Sequence, residues 1–138
     1  MLIHQIPPKP DYLRVKIGRR LARIGAVALK NTVYVLPRTD AAQEDFEWVL
    51  HEVNEAGGEA ALLEARFVDG LSDVDIENLF RTARDADFAA LAKEARELEA
   101  SLDANCLDDR EGRPQAAGEL VRLERRLEEI STIDFFSA

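Results

Sequence analysis

The chain carries one cysteine, one tryptophan and two histidines, and it has no run of about 18 apolar residues that could cross a bilayer. Each scarcity closes a class of answers. The lone thiol, Cys106, cannot form an internal disulfide and has no second thiol for a CxxC redox or zinc motif, so it reads as a loop cysteine. The missing apolar run removes the membrane as a partner. The segment after Met1 meets Pro7 and Pro8 too soon to build the apolar core of a signal peptide, and the expected localisation is cytoplasmic. His4 and His51 lack a cysteine partner and HExxH spacing, which argues against zinc. Neither a Gly-rich phosphate loop, a GxSxG elbow nor a nucleophile-base pair is visible. Asp73, Asp75 and Glu77 read as acidic charges at a helix N-terminus, where they favour the macrodipole. The expectation is therefore a protein without metal, cofactor or catalytic residue.

What the sequence does have is an uneven distribution of charge. The net charge is −9, which opposes nucleic-acid binding by the chain as a whole. Residues 1–38, however, hold eight basic side chains against Asp11 alone, a net of +7, while the remaining hundred residues carry −16. Such a division predicts one positive face on an acidic particle, and hence a localised anionic partner.

At 138 residues, 46% of them hydrophobic, the chain can bury one real core. Leu2 to Ile6 predicts a short strand closed by Pro7, Pro8 and Pro10. Asp11 stands as N-cap of a helix whose Leu13, Ile17, Leu21 and Ile24 recur at helical spacing up to Gly25. Ala26 to Leu29 and Val33 to Leu36 read as a hairpin about Lys30-Asn31-Thr32, or as one bent strand. A polar loop leads to a second helix from Glu44, with Phe46, Val49, Leu50 and Val53 on one face and Gly57-Gly58 as its stop. Glu59 to Val68 completes the set as a buried strand. The order β-α-β-β-α-β is that of a ferredoxin-like split βαβ sandwich, placing the chain in the α+β class.

Beyond Asp69-Gly70 the pattern becomes helical, so two parts are expected: a ferredoxin-like domain over 1–71 and a helical extension over 72–138. Ser72 predicts the cap of a helix reaching about Arg84, and Asp85 or Asp87 the cap of another. Phe88, Leu91, Ala95, Leu98 and Leu102 form one seam; Leu120, Leu123, Leu127 and Ile130 form a second across the loop Asp103 to Pro114. Two such seams fit an antiparallel helical hairpin that packs on itself, with an intermolecular coiled coil as the alternative.

On the first helix Lys16, Arg19 and Arg23 fall opposite the apolar arc, with Arg20 at its boundary and Lys30 extending the patch from the hairpin turn. These five cations are the candidate nucleic-acid or anion-binding residues, unless acidic neighbours neutralise them. Trp48 lies on the polar side of the second helix among His51, Glu52 and Glu55. It is either an interface anchor or is covered by the helical hairpin. Short sheet edges and Trp48 together point to a homodimer.

Several strings resemble the N-terminal domain of ChrB-type chromate resistance proteins. They are Leu2-Ile3-His4-Gln5-Ile6-Pro7-Pro8-Lys9-Pro10, Tyr12-Leu13-Arg14-Val15-Lys16-Ile17, Gly25-Ala26-Val27-Ala28-Leu29-Lys30-Asn31, Glu64 to Asp73, and Ile133-Asp134-Phe135-Phe136. They occur in order over nearly the whole chain. The resemblance implies transcriptional control of chromate efflux, with operator DNA, the chromate oxyanion and a C-terminal domain of the full-length protein as partners. Protein-protein interaction or chromate sensing without DNA contact is the alternative. A looser similarity runs to the small ferredoxin-like nucleases of CRISPR adaptation and to PaaX-type regulators. In those nucleases an Asp near the end of the first strand helps hold metal. Here that neighbourhood is His4-Gln5, with no acid before Asp11, and metal-dependent cleavage stands as the third reading.

Overall fold

The computed structural model describes residues 1–7, 11–104 and 112–138. Residues Met1–Leu79 and Phe80–Ala138 form two compact units. The first holds β1 (Leu2–Gln5), α1 (Asp11–Arg23), β2 (Val27–Lys30), β3 (Val33–Val35), α2 (Asp40–Glu55) and β4 (Glu59–Leu62). This is the element order expected from the sequence, and the chain is of the α+β class. All pairings are antiparallel in the spatial order β2-β3-β1-β4, so β3 lies between the two strands that α1 connects.

One face of the sheet becomes the core. Leu2 pairs with Tyr34 on one side and Leu62 on the other, which puts the three side chains on the same face. Leu13, Ile17 and Leu21 of α1 and Phe46, Val49 and Val53 of α2 pack with them, each nearly or wholly buried. Ile3 and Ala61, one residue out of phase, are exposed, as the period of two in a strand requires.

Both helices stop in the same way. Gly25, at φ 76°, donates to the Ala22 carbonyl while Ala26 donates to that of Leu21. Gly57, at φ 78°, donates to Asn54 while Gly58 donates to Val53. These are the paired hydrogen bonds of a Schellman stop, and glycine takes the left-handed position without the strain a Cβ would bring. Gly58 serves another need: a Cβ there would lie 2.8 Å from the Gln5 carbonyl oxygen, so the chain passes β1 too closely for any side chain.

Two boundaries differ from the sequence expectation. The second helix begins at Asp40, because the Thr39 hydroxyl accepts from the Ala42 amide at 3.1 Å and caps the helix a full turn before Glu44. The last strand ends at Leu62 instead of Val68. Among the described residues its neighbour is β1, and beyond the Leu2–Leu62 pair Met1 and Leu63 exchange hydrogen bonds of 2.8 and 3.0 Å. Pro8 and Pro10, expected to close β1, lie outside the described residues.

A single helix, α3 (Asp73–Ala104), replaces the two expected between Ser72 and Leu102. It contains neither glycine nor proline, so Asp85 and Asp87 have no break to cap. Its start is as expected: Ser72 Oγ accepts from the Asp75 amide at 3.2 Å and the Asp75 carboxylate accepts from the Ser72 amide at 2.9 Å, a reciprocal cap. The Ser72 hydrogen bonds hold the Asp75 carboxyl below the usual carboxylate range.

In the second unit the C-terminal part of α3 meets α4 (Gly112–Thr132) as a hairpin that packs on itself. Leu91, Leu123 and Ile130 are buried, with Phe88 and Leu98 against them. Leu120 and Leu127, expected in the same seam, are exposed instead, because only one strip of α4 faces its partner. Arg126 donates to both oxygens of Glu94, at 2.6 and 2.5 Å, and this hydrogen bonding lowers the Glu94 pKa. Cys106 and most of the expected loop from Asp103 to Pro114 lie outside the described residues.

His4 faces the same side of the sheet as Leu2 and is 9% exposed, stacked on Tyr34 with ring centroids 5.5 Å apart. Neither ring nitrogen has a hydrogen-bond partner among the described residues, and burial pushes the imidazole pKa down. Below about pH 6.5 the unfolded imidazole takes up a proton that the buried ring resists, so stability declines as the pH falls from 7 towards 5. His4→Phe keeps the ring stacking and removes two unpaired polar atoms. It is expected to stabilise the protein by about 1 kcal/mol and to flatten that part of the profile in urea titrations at pH 7 and 5. An equal decline in both proteins would exclude His4 as its source.

Candidate nucleic-acid and anion interface

The apolar arc of α1 faces the core as its spacing predicts, and this orientation turns the cations outward. Lys16, Arg19, Arg20 and Arg23 line a shallow depression of about 710 Å³, together with Tyr12, Val15, Ile24 and, from α2, Glu52. Four of the five cations singled out in the sequence thus meet at one place. Lys30 is exposed at the end of β2 and is not part of the lining.

The four cations are not equivalent. Lys16 Nζ lies 2.5 Å from Glu52 Oε1, and Arg20 Nε lies 3.7 Å from Glu52 Oε2. The hydrogen bond to Glu52 raises the Lys16 pKa, so Lys16 is cationic throughout the neutral range. Arg19 and Arg23 have no ion-pair or hydrogen-bond partner among the described residues, and both side chains are exposed. The result is an inner wall where one carboxylate offsets half of the charge of two cations and an outer rim where two guanidinium groups stand free.

Glu52 belongs to the polar side of α2, and the sequence pattern alone gives it no role. It stands three positions after Val49, at the edge of the apolar arc, and its side chain is only 19% exposed. Its Oε2 is buried and accepts no hydrogen bond among the described residues, the Arg20 distance being too long for one. A signal was present: an acid flanking the buried stripe of one helix, and Arg20 at the boundary of that of the other. Trp48, one turn earlier on α2, is 65% exposed. His51 is exposed as well, and among the described residues no three His, Cys, Asp or Glu side chains converge as a metal site would require. No described helix is long and apolar enough to cross a membrane.

Residues 14–138 match the family model described as Protein ChrB, N-terminal. No curated protein and no solved structure matches the chain. The matched segment begins within α1 and so takes in the whole basic stripe, the second helix with Glu52 and both helices of the hairpin. The chain therefore belongs to the ChrB N-terminal family, a chromate-resistance domain of regulatory type.

Proposed function

We propose that this domain serves transcriptional control of chromate resistance as a binding module without catalysis, and that it contacts duplex DNA through the groove along α1. The observation that carries the reading is the pair Arg19 and Arg23, unpartnered among the described residues at the rim of a depression that already holds two further cations. Like charges gathered on one helix face repel one another unless an anion neutralises them, and a phosphodiester backbone supplies anions at a regular spacing. Family membership supports the regulatory setting.

Salt dependence tests the reading. Each phosphate neutralised lowers the slope of log K against log salt by about 0.9, so contacts by two arginines predict a slope of about −2 for duplex binding. Anisotropy titrations over about a fourfold range of salt, from roughly 50 to 200 mM, read that slope directly. A second reading has its own support: Glu52 engages Lys16 and lies near Arg20, which leaves Arg19 and Arg23 as two free guanidinium forks able to hold a single oxyanion such as chromate. Duplex affinity independent of salt, with chromate raising the melting temperature, would favour that sensing role over DNA contact.

A further inference from the structure

We propose that Glu52 is a specificity-determining residue that keeps Lys16 and Arg20 out of contact with DNA, so that the groove engages a duplex through Arg19 and Arg23 alone. This rests on reading the groove as a DNA surface. Glu52 reaches across from α2 to both cations, and its carboxylate is mostly shielded from water. One oxygen is held by the short contact to Lys16; the other is buried with no hydrogen bond and depends on the nearby Arg20 charge. A phosphate that draws Lys16 or Arg20 away leaves this shielded carboxylate with one counter-charge instead of two, which is more costly than breaking an exposed ion pair. Phosphates therefore meet the two free arginines first. The consequence is weak binding to arbitrary sequence from a helix whose composition alone would predict strong binding.

Glu52→Gln releases both cations while preserving the shape of the side chain. With a random-sequence duplex, the slope of log K against log salt is expected to steepen from about −2 to about −3.6, as four contacts replace two. Glu55→Gln, an equal change of net charge at an exposed position on the same helix, is expected to leave the slope at its wild-type value. Lys16→Gln gives the independent measurement: no change of slope in the wild-type background, and a slope shallower by about one unit in the Glu52→Gln background. Because Lys16→Gln in the wild-type background needs no alteration of Glu52, the proposal can be judged even if Glu52→Gln fails to fold.

An unaltered slope in folded Glu52→Gln overturns the proposal, as does a loss of one unit on Lys16→Gln in the wild-type background. Wild-type duplex binding with either of those results sinks the role of Glu52 alone. Absence of duplex binding by wild type and Glu52→Gln alike sinks the DNA reading and this proposal with it.

Discussion

Phe46→Ala is expected to unfold the first unit or bring it close to unfolding. Phe46 is 2% exposed and belongs to the cluster that joins α1, α2 and the sheet through Leu2, Ile17 and Val49. Truncating a buried phenylalanine removes its transfer free energy and leaves a cavity, a loss of about 3–5 kcal/mol. Domains of this size have only about 5–15 kcal/mol in all, so the variant sits at the edge of folding. Urea titration followed by circular dichroism should show the midpoint falling sharply. Leu127→Ala, an exposed position on α4, serves as the comparison and should shift it little. A loss below about 1 kcal/mol for Phe46→Ala would mean that the two helices do not depend on this side chain for their seat on the sheet.

The elements legible in the sequence were those whose signal is local. Leu13, Ile17 and Leu21 recur at helical spacing with a glycine directly beyond the helix, and the structure buries all three and stops the helix at that glycine. The start of α2 was also written locally, in Thr39, but the apolar repeat beginning at Phe46 drew the boundary inward. The end of β4 had no local signal at all. Ala65, Phe67 and Val68 suit a strand, yet strand length is decided by pairing, and the ladder of β4 with β1 runs from Gln5–Glu59 to Leu2–Leu62. The same reason explains Leu120 and Leu127: heptad spacing tells which residues share a strip, not how wide a strip the facing helix covers.

The site divides along the same line. That Lys16, Arg19 and Arg23 would face away from the core follows from the angular position of each on one helix. That Lys16 would be neutralised and Arg19 would not depends on how α2 lies beside α1, which is a property of the packed pair. Glu52 could be seen as an acid at the edge of an apolar stripe, but its partner became visible only with both helices in place.

Replacing both free arginines, Arg19→Gln with Arg23→Gln, is accordingly expected to affect binding far more than folding. Neither side chain is buried or paired among the described residues, so the melting temperature should change little. In duplex binding, each lost phosphate contact removes about 0.9 from the salt slope, which at 0.1 M salt corresponds to roughly an eightfold loss of affinity per contact. The double variant should thus bind about 60-fold more weakly than wild type, with its slope brought close to zero. Lys16→Gln with Arg20→Gln removes the same number of charges from the same helix and provides the internal comparison. It should leave the slope nearly unchanged, because Glu52 already engages Lys16 and attracts Arg20. If both double variants weakened binding equally and flattened the slope equally, the groove would act as a uniform patch of charge, and the distinction between its rim and its inner wall would have no bearing on recognition.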